Sequence, residues 1–283
     1  MRKVLIPTDF SDNAKNAIKY ACELFKYEII EFFIMHAYQN EIYADDSLLN
    51  GESMEVLTNT ISKKSKTQLE DILNYINNIL PNPKHSYNLI SSNNILLNEA
   101  DKIVEKENID IIIMGTRGKS NDRKLTFGSH TLQVLKYVEC PVLAIPENFK
   151  YKQPKHILFP TNFLIPHKRR ELKLLCEMSS SYRAKIDMLY VSKSDTLSKK
   201  QQENMNFIQD ALCENKIKFK TANNKNITNA IYIHIKENNI DLLVMVNSRH
   251  SFLENILFQS TIDKMSLYLN IPFLAMQNIK RDS

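Results

Sequence analysis

Lys3-Val4-Leu5-Ile6-Pro7-Thr8-Asp9-Phe10 is a short apolar run that stops on Pro-Thr-Asp-Phe, and it returns 153 positions later as His156-Ile157-Leu158-Phe159-Pro160-Thr161-Asn162-Phe163. Two further matches lie 131 positions apart. Glu107-Asn108-Ile109-Asp110-Ile111-Ile112-Ile113-Met114 pairs with Asn238-Asn239-Ile240-Asp241-Leu242-Leu243-Val244-Met245, and Cys140-Pro141-Val142-Leu143-Ala144 pairs with Ile271-Pro272-Phe273-Leu274-Ala275. A repeat of this length is a duplicated domain rather than a solenoid unit. The fall in offset puts an extra segment in the first copy, which we place near Glu41 to Thr60.

Each copy alternates β-branched apolar runs with amphipathic helical stretches. That pattern builds parallel sheets through right-handed βαβ crossovers. The expected fold class is therefore α/β, with two tandem open parallel five-stranded sheets flanked by helices in a Rossmann-like arrangement. The first domain is expected over residues 1–147 and the second over 155–279, joined by the polar stretch Glu147 to Pro154. In the first, strands are predicted at Lys3 to Ile6, Ile29 to His36, Lys84 to Leu89, Ile109 to Met114 and Val142 to Ile145. Its first helix, capped by Ser11 or Asp12, carries Ala14, Ala17, Ile18, Ala21 and Phe25 at helical spacing, a face suited to lie on the sheet. In the second, strands are predicted at Ile157 to Phe159, Ile186 to Val191, Ile217 to Phe219, Leu242 to Val246 and Phe273 to Ala275. Helices are predicted there at Arg169 to Ser181, Leu197 to Glu214, Ile227 to Glu237 and Thr261 to Leu269.

Composition narrows the function classes. The 283 residues suffice for two cores, and 43% hydrophobic with 24% charged residues is ordinary globular usage. The N-terminal apolar run is halted by Pro7 and no run reaches transmembrane length, so neither a signal peptide nor a membrane partner is expected. Cys22, Cys140, Cys176 and Cys213 are scattered without metal-ligand spacing, which suits a cytoplasmic location and argues against a disulfide framework or zinc. The formal charge of +5 is spread over segments such as Lys63-Lys64-Ser65-Lys66, with no basic stripe interleaved with stacking aromatics, so no nucleic-acid partner is expected.

The chemistry concentrates where the glycines do. The chain has four glycines, and Gly115, Gly118 and Gly128 all follow the strand Ile109 to Met114 directly. In an open parallel sheet, ligands bind at the carboxyl ends of the strands, and glycines let backbone amides approach phosphate oxygens at a helix N-terminus. The segment Ser129 to Tyr137 supplies that helix, and Ser129 and Thr131 offer hydroxyl donors. The competing reading is that these glycines only permit a left-handed backbone in a surface turn.

Gly115-Thr116-Arg117-Gly118, nine residues, then Gly128-Ser129 resembles the G-2x-G-9x-G-(S/T) motif of the ATP-binding members of the universal stress protein (UspA) family. The Pro-Thr-Asp start and the Cys-Pro-Val last strand fit the same family, and the resemblance covers the chain as two tandem domains. It implies an adenine nucleotide alpha hydrolase-like fold with ATP as ligand. It further implies that Asp9 reads the adenine with the backbone of Ala37, that Pro7 and Thr8 shape the pocket floor, and that ribose and phosphates lie against Met114, Gly115, Arg117, Gly118, Gly128, Ser129, His130 and Thr131. A carboxylate at Asp9 would accept from the adenine amino group; alternatively Asp9 only caps the helix or shapes the loop beside Ser11-Asp12-Asn13. His130 offers either a cation or its amide. Lys119, Arg123 and Lys124 form a basic loop, and Asp122 is the one motif-loop carboxylate for an accompanying Mg²⁺.

In the second copy the motif reads Asn247-Ser248-Arg249-His250, nine residues, then Ser260-Thr261, and Asn162 replaces the acid. Spacing survives without any glycine. We expect one functional nucleotide site, in the first domain, because side chains would fill the phosphate space and a backbone needing positive φ would be strained. The implied function is a nucleotide-dependent stress-response regulator, with homodimerisation added to pairing of the last strands, Val142 to Ile145 and Phe273 to Ala275, within the chain. The alternative is an ATP-using enzyme of the same superfamily, but its Ser-Gly-Gly-x-Asp-Ser loop is missing after the first strand and no catalytic residue set assembles from the sequence.

Overall fold

A computed structural model describes residues 1–48, 50–118, 127–164, 166–167, 169–192, 196–212, 216–223, 226–247 and 269–277. The chain divides into two compact units, the described residues up to Tyr151 and those from Lys152 onward.

Unit 1 runs β1 (Arg2–Pro7), α1 (Asp12–Leu24), β2 (Ile30–Ala37), α2 (Gln39–Tyr43), a 3-10 turn (Asp46–Leu48), α3 (Met54–Ile79), β3 (His85–Ser92), α4 (Leu96–Glu107), β4 (Ile111–Gly115), α5 (Ser129–Tyr137) and β5 (Val142–Ile145). Its strands are parallel in the order β3-β2-β1-β4-β5. The central strands carry continuous apolar runs because both faces are covered there. Val4, Leu5 and Ile6 on β1 and Ile111, Ile112 and Ile113 on β4 are all fully buried. Ser11 caps α1 by accepting from the Ala14 amide at 3.2 Å. The face Ala14, Ala17, Ile18, Ala21 and Phe25 is buried, and each large member contributes about 1.5–3 kcal/mol.

Residues 149–151 do not behave as a free polar connector. Phe149 and Tyr151 pack on Tyr20 of α1, with ring centroids 6.1 and 5.3 Å away, and Asn16 Nδ2 donates to the Phe149 carbonyl at 3.1 Å. The aromatic pair inside an otherwise polar stretch is what anchors it.

Unit 2 runs β6 (His156–Thr161), α6 (Arg169–Tyr182), β7 (Lys185–Ser192), α7 (Lys199–Ala211), β8 (Lys216–Asn223), α8 (Ile227–Glu237), β9 (Leu242–Asn247) and β10 (Phe273–Gln277). Its parallel order is β10-β9-β6-β7-β8. Helix α7 starts later than the predicted Leu197 because Ser198 and Gln201 form a capping box that fixes the first turn. The helix predicted from Thr261 lies outside the described residues except for Leu269.

The letters shared by the two copies mark demanding backbone positions. Phe10 and Phe163 both adopt left-handed backbone, φ 63° and 55°, which is costly for a bulky residue. Each is held by the threonine two residues earlier: the Phe10 amide donates to Thr8 Oγ1 at 3.0 Å and that of Phe163 to Thr161 Oγ1 at 3.1 Å. Asn108 and Asn239 are left-handed at the ends of α4 and α8. Asp110 accepts from the Lys3 amide at 2.8 Å, and Asp241 accepts from the Lys155 and His156 amides at 2.9 and 3.0 Å. These carboxylates tie the start of β1 to β4 and of β6 to β9.

The extra residues of the first copy form structure of their own. Residues 38–53 lie between β2 and α3, against 193–198 between β7 and α7, and α3 has 26 residues where α7 has 13. Ile42 of α2 packs with Tyr38, Leu57 and Ile61 in a small apolar cluster.

Candidate functional site

The strand order of unit 1 changes direction between β1 and β4, which opens a crevice at their carboxyl ends. A cleft of about 430 Å³ occupies this position, within the size range of small-molecule sites. All twelve residues singled out from the sequence line it: Pro7, Thr8 and Asp9 after β1, Ala37 at the end of β2, Met114, Gly115, Arg117 and Gly118 after β4, and Gly128, Ser129, His130 and Thr131 at the start of α5. Ala14, His36, Asn40, Glu41, Ala44 and Leu96 complete the wall.

Gly115 and Gly118 serve space rather than backbone angle. Among the described glycines only Gly51 has a positive φ, so the turn reading of Gly115, Gly118 and Gly128 does not hold. A Cβ on Gly115 would stand 2.6 Å from Asn13 Nδ2, and one on Gly118 would stand 2.5 Å from Asp9 Oδ2. A Cβ on Gly128 meets only ordinary contacts, the nearest being Arg117 Cα at 3.6 Å. The expectation that the second copy would be strained at left-handed positions loses its basis, since none of these three glycines is left-handed; Ser248, Arg249, His250 and Ser260 themselves lie outside the described residues. The space argument stands by itself.

Three hydrogen bonds shape the loop after β4. The Thr116 amide donates to the Ile145 carbonyl at 2.9 Å, the Gly128 amide to the Thr116 carbonyl at 2.8 Å, and Asn13 Nδ2 to the Arg117 carbonyl at 2.8 Å. Asn13 is 7% exposed, and its Oδ1 finds no hydrogen-bond partner among the described residues. Sequence reading missed Asn13 because an asparagine in a first helical turn reads as a cap. The start of α5 then presents its first amides to the cleft, with Gly128 as a cap residue that has no side chain to occupy them.

Two expected roles change. The Thr131 hydroxyl donates to the Gly115 carbonyl at 3.0 Å inside the protein, so it locks α5 to β4 and is not a donor for a ligand. Ser129 and His130 are exposed and accessible. Asp9 takes the loop-shaping role that the sequence offered as its alternative: its Oδ1 accepts from the Ser11 amide at 3.1 Å and hydroxyl at 2.6 Å, while its other oxygen lies toward Gly118 in the cleft wall.

His36 and Glu41 went unnoticed in the sequence. His36 Nε2 lies 3.4 Å from Glu41 Oε1, its Nδ1 lies 2.9 Å from Ser65 Oγ, and Ser65 Oγ lies 2.7 Å from Ser91 Oγ. The signal was a polar residue at the end of an otherwise apolar strand, but its partners come from α2, α3 and β3. Lys119, Asp122, Arg123 and Lys124 lie outside the described residues.

In unit 2, Asn162 holds the position of Asp9 and its Oδ1 accepts from the Leu164 amide at 3.0 Å. Ser248, Arg249, His250, Ser260 and Thr261 lie outside the described residues. His167, beside Phe159 with centroids 5.7 Å apart, has its imidazole pushed down to about 4 by burial. Among the described residues no cluster of three or more His, Cys, Asp or Glu could hold a metal ion, and no helix is long and apolar enough to cross a membrane.

Comparison with known proteins places this geometry. The family model described as universal stress protein family matches residues 1–146. The chain is 32% identical over 152 residues to the universal stress protein MJ0577 of Methanocaldococcus jannaschii, covering 51% of this chain and 94% of that protein. It is 28% identical over 158 residues to MJ0531 of the same organism, covering 54% and 84%. The crystal structure of a universal stress protein from Archaeoglobus fulgidus superposes on 97% of this chain and 96% of its own with a TM-score of 0.71 at 16% identity, which shows the shared fold. The chain belongs to the universal stress protein family.

Proposed function

We propose that unit 1 binds one ATP per chain and that its occupancy sets the state of a stress-response regulator. The observation that carries this reading is the single cleft that gathers the Asp9 carboxylate, the Gly115–Gly118 loop and the N-terminus of α5. Asp9 accepts from the adenine amino group beside Ala37, and a carboxylate suits that task because it cannot donate. The loop glycines line the cleft without side chains, which leaves their backbone open to ribose and phosphate. The amides of Ser129, His130 and Thr131 face the phosphates at the positive end of the α5 dipole, and Arg117 adds a cation.

Unit 2 is read as a structural copy, since the acid and all three glycines are replaced together. Denaturing the purified protein and analysing the released small molecules by mass spectrometry asks whether adenine nucleotide is carried. Calorimetry, with and without Mg²⁺, should give a stoichiometry near one, abolished by Gly118→Val and retained in Ser260→Ala. Two sites of comparable affinity, or none, would sink the proposal.

A further inference from the structure

Glu41 sits on α2, within the sixteen residues 38–53 that join β2 to α3, where unit 2 has only six, 193–198, between β7 and α7. Its Oε1 is the outer end of a polar chain that runs through His36 and Ser65 to Ser91. His36 and Ser65 are 3% and 1% exposed, and buried polar groups are costly unless each is satisfied. One of the proton arrangements that satisfy them runs outward to Glu41. With Glu41 ionised, His36 Nε2–H donates outward to the carboxylate, so Nδ1 accepts from Ser65 and Ser65 accepts from Ser91. The chain thus has a direction, and it ends on an oriented carboxylate in the cleft wall.

The same imidazole packs against Phe10, ring centroids 4.5 Å apart. Phe10 follows Asp9, and β1 pairs with β2 in register up to Pro7 and Met35. Asp9 and Glu41 therefore line one cleft from the ends of adjoining strands.

We propose that Glu41 is a second reader of the base, which with Asp9 selects nucleotides carrying an exocyclic amino group on the six-membered ring and rejects those carrying a carbonyl there. This rests on the nucleotide reading of the cleft. A carboxylate can only accept, and an exocyclic amine has two N–H bonds, one for each acid. A carbonyl in its place turns lone pairs toward two negative acceptors and offers neither a proton, the kind of mismatch that polar sites reject strongly. In unit 2 Asn162 stands at the position of Asp9, and six residues, 193–198, replace the sixteen of 38–53 that carry Glu41. His36 is the positioning residue, acting through the carboxylate it orients.

The test is calorimetric binding of ATP, inosine triphosphate and N6-methyl-ATP to the full chain and to Glu41→Gln. The Glu41 side chain is 39% exposed, so the amide fits, and melting curves of the ligand-free proteins check that it does. Wild type should prefer ATP to inosine triphosphate by about 100-fold or more and bind N6-methyl-ATP about tenfold more weakly than ATP. In Glu41→Gln the ATP preference should shrink at least about tenfold, because an amide can turn its NH₂ to the carbonyl. If ATP binds but the preference is the same in both proteins, the chain merely fastens α2 and this proposal falls while the nucleotide reading survives. If wild type binds none of the three, both fall.

Discussion

The carboxylate of Asp9 fills the space that a side chain on Gly118 would need: a Cβ built there would stand 2.5 Å from Asp9 Oδ2. The end of β1 and the loop after β4 thus compete for one space in the cleft wall. Gly118→Ala should displace the carboxylate and weaken ATP binding at least about tenfold, equivalent to about 1.4 kcal/mol. Adding Gly118→Ala to Asp9→Ala should cost much less, since the clash is already gone. A double-mutant cycle by calorimetry measures this coupling; additive losses would mean the two residues act separately.

Thr8 and Thr161 perform the same backbone task in the two units, but only Thr8 lines the cleft. Replacing either with valine removes the acceptor that holds a left-handed phenylalanine, at a cost of about 1–3 kcal/mol. Thr8→Val should also lower nucleotide affinity, whereas Thr161→Val should lower only the melting temperature. Chemical denaturation and binding titrations of both variants separate these effects.

Unit 2 should lose stability in acid through two distinct groups. Burial by itself raises the Asp187 carboxyl, but hydrogen bonds from Lys220 at 2.8 Å and His234 at 3.0 Å outweigh it and hold the group below its ordinary 3.8. A depressed carboxyl stabilises the fold above the unfolded value and loses that contribution as pH falls below it. Asp187→Asn should therefore be less stable than wild type at neutral pH by about 1–3 kcal/mol, and the gap should close below about pH 3.

His167 acts at milder pH. Its folded value of about 4 lies below the ordinary 6.5, so the unfolded chain takes up the proton first as pH falls. Stability that is intact above 6.5 should decline until pH reaches about 4. His167→Leu should flatten the melting temperature across that window; an unchanged slope would show that another group titrates.

ATP should raise the unfolding midpoint of unit 1 by linkage, with about 2.7 kcal/mol of added stability at a ligand concentration one hundred times Kd. On the regulator reading, turnover should stay below about one per second, the lower end of ordinary enzymes, since binding ground and transition states equally gives affinity rather than rate. Faster hydrolysis that is lost in Gly118→Val would favour the enzyme reading instead.

Much of unit 1 was legible because its signals are local. Pro-Thr-Asx-Phe and Asn-Ile-Asp recur since each letter meets a backbone demand, a left-handed residue or a carboxylate joining two strands. The cleft residues were legible for the same reason, as glycines and an acid at strand ends have few other uses. Asn13, His36 and Glu41 escaped because their roles depend on partners far along the chain: Arg117 for Asn13, and Ser65 on α3 for His36. Thr131 was misread because a hydroxyl in a first helical turn gives no hint that the Gly115 carbonyl lies beneath it. The start of α7 shifted for a smaller reason, a serine that caps rather than joins the helix.

That none of Gly115, Gly118 and Gly128 adopts a left-handed backbone bears on how a duplicated gene can age. Where a turn depends on glycine for its backbone, replacing the glycine damages the fold, and selection for folding alone preserves it. At Gly115 and Gly118 replacement intrudes instead on volume beside the side chains of Asn13 and Asp9. A copy that no longer needs that arrangement is free to drift at those positions without a backbone penalty. A tandem pair built on such a loop can specialise in small steps, one half keeping its cargo and the other its architecture.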